Sequence, residues 1–169
     1  MTGIIFDLDQ TLVDSSIAEE LRASRRWPEV YKLIPQMLVY PGVLEILAML
    51  TDREVPLAVV TSSPKPYCSK VLEHHKISIV NKVCFHDTKR RKPFPDPILK
   101  AIDDLGVPTN TIWSIGDLPK DIEASKAASV STVGVTWGLT DPTELIESDP
   151  DHLFDTVAEL HHFLDELTI

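Results

Sequence analysis

The sequence is short of cysteine. Cys68 and Cys84 are the two in 169 residues, which excludes a disulfide-stapled scaffold, and neither stands at metal-site spacing, so both read as free thiols of a reducing compartment. No stretch approaches the roughly 20 apolar residues of a membrane span. The N-terminus enters an apolar strand pattern at once, without the basic segment, apolar run and cleavage site of a signal peptide. The expectation is therefore a cytoplasmic protein without membrane contact. No internal repeat and no low-complexity tract occurs, which excludes a repeat architecture. Basic side chains are missing after Lys126, where nine of the 26 acids lie, leaving 17 acids against 16 bases in the first 126 residues. The net charge of −10 thus belongs to a solvated tail and does not exclude an anionic substrate elsewhere on the chain.

What is present suits a globular protein: 43% hydrophobic residues and a mean hydropathy of zero, in a length that can bury a full core as one domain, residues 1–169. Apolar strand-like runs recur at 3–6, 57–61, 79–85, 111–115 and 130–135, with a short edge strand at His152–Phe154. Continuous runs of this kind suit a sheet covered on both faces. Helical patterns fill the intervals at Val43–Leu50, Lys65–His75, Asp96–Leu105, Pro119–Ala128 and Val157–Leu167, and the 13 prolines fall mainly at element ends. Strand and helix in alternation imply a mostly parallel α/β sheet in three Rossmann-like layers with right-handed crossovers. Residues 15–40 break the rhythm. They read as an insertion of two short helices, Ile17–Arg26 and Glu29–Val39.

The most informative stretch is Ile4-Ile5-Phe6-Asp7-Leu8-Asp9-Gln10-Thr11. Side chains two apart on a strand share a face, so Asp7 and Asp9 are expected side by side at a strand's C-terminal end, where they repel one another unless a cation intervenes. That arrangement suits a divalent metal, with one carboxylate free to attack and the other to move a proton. Ligands of open parallel sheets bind outside the C-terminal strand ends. The polar residues expected there are Asp7, Asp9 and Thr11 after the first strand, Thr61, Ser62 and Ser63 after the second, and Gly116, Asp117 and Asp121 after the fourth, with Lys92 ahead of the Asp96 helix.

These residues resemble the haloacid dehalogenase superfamily, in the branch of phosphoglycolate-phosphatase-like enzymes. Four motifs match in order: Asp7-Leu8-Asp9-Gln10-Thr11, Thr61, Lys92 within Lys-Pro-Phe-Pro-Asp, and Gly116-Asp117 with Asp121. The resemblance implies a Mg2+-dependent phosphomonoesterase. Asp7 would be the nucleophile that forms an aspartyl-phosphate, and Asp9 would protonate the leaving oxygen and then deprotonate the attacking water. Thr61 and Lys92 would complete the catalytic set, and Thr11, Thr61, Ser62, Arg91 and Lys92 would contact the substrate. The implied metal set is Asp7, Asp9 through its backbone carbonyl, Asp117, and Asp121 directly or through water. The dehalogenases of the superfamily lack an acid at the position of Asp9, so phosphoryl transfer is favoured here.

Three departures from the family pattern stand out. Gln10 and Ser129 occupy positions where glycine is usual, and the insertion at 15–40 is far shorter than the helical cap of phosphoglycolate-type relatives. A cap this short implies either a large or polyanionic phosphorylated substrate, with nucleic acid entering only as such a substrate, or a small metabolite enclosed by a second copy in a homo-oligomer. Arg22, Arg25 and Arg26 in the insertion and Lys89-Arg90-Arg91-Lys92 would form a basic rim, unless the three arginines simply pair with Glu19, Glu20 and Glu29. Trp27, Tyr31 and Tyr40 are expected to pack down rather than stack on a base. Cys68, His74, His75 and His86 read as structural, and His161 and His162 as surface. A phosphate-binding module without turnover is the alternative outside the enzyme class, and a phosphotransferase or mutase a further one within it.

Overall fold

The computed structural model describes residues 1–169. The central strand β1 (Gly3–Phe6) is buried on both faces, as its unbroken Gly-Ile-Ile-Phe run predicts. The other core strands are β4 (Leu57–Val60), β5 (Asn81–Val83), β6 (Ile112–Gly116), β7 (Ser131–Val135) and β8 (His152–Phe154). They form one six-stranded sheet in the order β5-β4-β1-β6-β7-β8, and every pairing is parallel. The chain runs outward from β1 through β4 to β5, then returns to place β6 on the other side of β1. The direction of travel therefore reverses between β1 and β6, which is where open α/β sheets hold ligands.

Alternation along β1 divides the core. Ile4 and Phe6 join a cluster of 26 buried residues under helices α3 (Val43–Asp52), α4 (Lys65–His74) and α8 (Val157–Leu167), while Ile5 joins a cluster of 11 under α5 (Asp96–Leu105) and α6 (Pro119–Ala127). The buried positions of α3, namely Val43, Ile46, Leu47 and Leu50, follow the three- and four-residue spacing of a one-sided helix. No helix is long and apolar enough to cross a membrane.

The element pattern matches the expected strands and helices, with three corrections. First, the apolar run at 79–85 yields only the three residues of β5. Ile79 turns inward ahead of the strand, but Val80 is 86% exposed. Second, a short helix α7 (Thr143–Glu147) lies in the part of the acidic tail before His152 where no element was expected.

Third, the insertion is not two plain helices. It holds a 3-10 turn at Ser16–Ala18, α1 (Glu19–Ala23), α2 (Trp27–Leu33), a second 3-10 turn at Ile34–Gln36, and a strand β3 (Leu38–Val39) that pairs antiparallel with β2 (Val13–Asp14). Pro35 cannot continue an α-helix, which accounts for the early end of α2. α1 ends because Arg25 takes a left-handed conformation at φ +56. Arg25 N donates to Arg22 O and Arg26 N to Leu21 O, the paired bonds of a Schellman closure. Ala18, Val30, Ile34 and Met37 are buried in the larger cluster. Each of the three larger ones contributes about 1.5–3 kcal/mol, so the segment is anchored to the body.

Candidate active site

Asp7 leaves the end of β1, with its backbone N–H donated to Ile115 O of β6 at 2.9 Å. Asp117 follows β6 directly, and Asp121 sits in the first turn of α6. One carboxylate oxygen from each of these three residues lies within 4.8 Å of the others. Gly116 makes the approach possible: a Cβ there would fall 2.5–2.6 Å from the Asp121 side chain. Lys92 supplies the single ammonium in the cluster. Its Nζ donates to Asp7 Oδ1 at 2.9 Å, to Val60 O at 3.0 Å and to Asp121 Oδ1, which uses all three of its protons. Asp121 Oδ2 also accepts from Leu118 N at 3.0 Å, so this acid both caps α6 and joins the site.

Three carboxylates around one ammonium leave negative charge in excess in a buried place. Burial pushes the Asp7 carboxyl up to about 6, with Lys92 opposing and Asp121 and Asp9 adding to the rise. Burial, then the charges of Asp7 and Asp121, push Asp117 up to about 9. Burial disfavours the Lys92 ammonium, but Asp121 and Asp7 outweigh it and raise its pKa. The donor set is all hard oxygen, and its excess charge is of the size that a divalent cation offsets. The residues present therefore fit such an ion.

Asp9 is placed differently from the expectation of two adjoining carboxylates. β1 ends before Asp7, so strand alternation does not govern the pair. The Asp9 carboxylate stands outside the cluster of Asp7, Asp117 and Asp121. Its Oδ1 accepts from Tyr67 Oη and Ser15 Oγ, both at 2.6 Å. Its Oδ2 accepts from Ser63 Oγ at 3.3 Å and pairs with Arg22 at 2.9 Å. Burial, then the nearby Asp9 charge, raise the Tyr67 phenol far above its ordinary pKa, so Tyr67 stays a donor.

The remaining expected residues separate. Asp7, Asp9, Thr61, Ser62 and Asp117 line one cleft of about 330 Å3. Thr61 Oγ1 accepts from Ser63 N at 3.1 Å, a turn within the loop and not a helix cap, since α4 begins at Lys65. Ser62 Oγ has no partner. Thr11 does not line the cleft: it is fully buried and its hydroxyl donates to Asp117 Oδ1 at 3.3 Å. Arg91 also lies off the cleft, with its guanidinium 3.8 Å from the Phe85 ring centre.

The basic residues of the insertion divide as well. Arg26 pairs with Glu29 as the surface reading expected, but Arg22 reaches Asp9. Trp27 packs on Tyr67 and Tyr40 on Trp137, downward as expected. Gln10 adopts φ +62, the conformation that explains glycine in the family, and its Oε1 accepts from Ser15 N at 2.8 Å. Gly138 faces it so closely that a Cβ would meet Gln10 at 2.7 Å, which seats the 138–141 loop on the rim.

Sequence reasoning missed Tyr67, Ser15 and Lys120, and it gave Ser63 no partner. Tyr67 carried a signal: it falls on the apolar face of α4 with Cys68, Val71 and Leu72, and a buried phenol needs an acceptor. Lys120 lines the cleft but looks like any exposed helix residue. A second chamber of about 440 Å3 adjoins the cleft across Glu19, Arg22, Ser62 and Ser63. His86, expected to be structural, is exposed on its wall.

Comparison with known proteins gives the family and the fold. Phosphoglycolate phosphatase of Escherichia coli is 31% identical over 124 residues, which cover 72% of this chain and 49% of that protein. The chain therefore spans about half the length of the curated relatives it matches. A hydrolase from Pseudomonas syringae superposes with a TM-score of 0.83 at 24% identity, covering 98% of this chain and 99% of that one. A HAD family hydrolase from Deinococcus radiodurans, whose structure holds bound phosphate and sodium, does so with a TM-score of 0.82 at 18% identity, covering 99% and 96%. The profile of the haloacid dehalogenase-like hydrolases matches residues 19–135, and with the acid cluster at its sheet end the chain belongs to that family.

Proposed function

We propose that the protein is a Mg2+-dependent phosphomonoesterase that works through Asp7. One observation carries this reading: Asp7 faces an open cleft while its carboxylate is bonded to Lys92 and grouped with Asp117 and Asp121. Asp7 attacks phosphorus, the ester oxygen leaves, and Asp9 gives that oxygen a proton. Asp9 then takes a proton from water, which attacks the aspartyl-phosphate and restores Asp7. Lys92 neutralises charge on Asp7 and on the phosphoryl group. The hydroxyls of Thr61 and Ser62 donate to the phosphoryl oxygens from the cleft wall. Asp7, Asp117, Asp121 and the Asp9 carbonyl would hold Mg2+, which offsets the repulsion between nucleophile and phosphate. Thr11 orients Asp117. On this reading residues 1–169 form one core domain and residues 15–40 its cap.

The substrate carries an exposed phosphate on a larger or polyanionic molecule, because the second chamber adds room beyond the phosphate cleft. A second reading, a small metabolite such as phosphoglycolate enclosed by another copy of the chain, draws on the activity named for the relatives at 31% identity.

Hydrolysis of p-nitrophenyl phosphate with Mg2+, with EDTA, and by Asp7→Asn tests the reading. The expected result is metal-dependent turnover that falls on the order of 10⁴-fold or more in the variant. Phosphate binding by a wild type that never turns over, or an unaltered rate in Asp7→Asn, contradicts it.

A further inference from the structure

The chain has six arginines. Four of them, Arg22, Arg26, Arg53 and Arg90, pair with carboxylates. The other two, Arg25 and Arg91, pair with none, and both guanidiniums stack on the same ring, Phe85, at 5.7 and 3.8 Å from its centre. Phe85 and Arg25 line the second chamber, and Arg22 stands on the wall it shares with the phosphate cleft. Arg91 does not line the chamber. It sets its positive charge against the ring, and its Nε is buried without a partner.

Arg25 is also held at a cost. It occupies the left-handed position that closes α1, at φ +56, where glycine is usual and a side chain is strained. That backbone turn aims the chain at position 25 toward Phe85. A strained, unpaired arginine at the mouth of a chamber, beside a phosphate cleft, is suited to meet an oxyanion that is not part of the protein.

We propose that Arg25, seated on Phe85 and supported by Arg22, binds a second negative group on the substrate's leaving portion, a carboxylate or a phosphate. The inference rests on the phosphomonoesterase reading and deepens it. The transferred phosphoryl group occupies the cleft at Asp7, and the leaving group crosses the Ser62–Ser63 wall into the chamber. The chamber volume of about 440 Å3 exceeds what a two-carbon leaving group fills, so the second anion stands several atoms from the ester oxygen. Glu19 is the one acid on the chamber wall and works against the anion.

The test uses alkyl monophosphates of two to six carbons ending in hydroxyl, carboxylate or phosphate, with Mg2+. Wild type is expected to prefer the anion-ended substrates about tenfold in kcat/KM, with the optimum beyond two carbons, and the comparison of carboxylate with phosphate ends tells which oxyanion fits. Arg25→Gln and Arg25→Gly should each bring the ratio of anion-ended to hydroxyl-ended rates close to one, and Glu19→Gln should raise it. Arg25→Gly separates this loss from misfolding, because removing the left-handed strain should lift the Tm by about 2–4 °C while selectivity falls. A wild type without turnover on any of the esters removes the phosphatase reading itself. Turnover with equal rates on all three ends, or a preference that Arg25→Gly leaves intact, overturns the second anion site and leaves the phosphatase reading standing.

Discussion

The end of the central sheet and the 15–40 segment face each other across one cleft and are charged in opposite ways. The sheet end packs Asp7, Asp117 and Asp121 around Lys92, all buried or nearly so. The segment brings guanidiniums and a hydroxyl to the same space: Arg22 and Ser15 on Asp9, and Arg25 at the chamber beyond. Asp7 and Asp9, two residues apart, fall on opposite sides of this divide. On the proposed reading, the chemistry that needs fixed charge sits on strand ends locked by the sheet, where reorganisation is small, and recognition sits on short helices at the rim, where a side chain can change without disturbing the sheet.

Lys92→Met should show the divide most strongly. It leaves Asp7 and Asp121 buried without their ammonium, so urea unfolding of the metal-free protein should register a loss of about 3–5 kcal/mol, and turnover should fall on the order of 10²–10³-fold. A metal-free variant as stable as wild type would mean that the sheet end is not under electrostatic load.

The same load sets a pH dependence. Asp7 titrates near 6 and Asp117 near 9 in the folded chain, against 3.8 for an ordinary aspartate. The folded state thus holds more protons than the unfolded state between about pH 4 and pH 9, so stability must fall as pH rises through that window. The Lys92 contribution, with its pKa raised from 10.5, is fully present across the window and is lost only above it. Thermal melts in EDTA should drop by several degrees from pH 5 to pH 8, and Mg2+ should restore more at pH 8 than at pH 5. A flat profile in EDTA breaks the comparison.

On the segment side the effects shrink. Arg22→Gln removes a partly exposed ion pair while Tyr67 and Ser15 still hold Asp9, so chemical denaturation should record less than about 1 kcal/mol, with kcat reduced no more than roughly tenfold. Smallest of all, Ser129 closes α6 at φ +61, away from the cleft. Ser129→Gly should stabilise the fold by about 0.5–1 kcal/mol in the same assay, with turnover unaltered.

The sheet side of this comparison was legible in the sequence and the segment side was not. Continuous apolar runs such as Ile4–Phe6 and Leu57–Val60 mark buried parallel strands, and ligand sites of open sheets collect at strand ends, so Asp7, Asp117, Asp121 and Lys92 could be placed together from spacing alone. The partners of Asp9 could not. Arg22, Ser15 and Tyr67 reach it through the 3-10 turn that leads into α1, a two-residue ribbon between β2 and β3, and the packing of α2 on α4, none of which leaves a periodic signal. Thr11 misled for a related reason. Its place in the Asp7–Thr11 motif suggests the substrate, but the loop turns it inward to Asp117. Arg91 misled by adjacency: it neighbours Lys92 in sequence, yet Phe85 draws its side chain away from the cleft.

The claim on which the rest depends is that Asp7 carries the phosphoryl group. Acid-quenching the wild type during turnover of a phosphomonoester with Mg2+, then mapping the modified peptide by mass spectrometry, reads this directly. One phosphoryl mass on Asp7 in wild type, absent in Asp7→Asn, is the predicted result. Turnover with no phosphorylated peptide, or with the phosphate on a different residue, contradicts it.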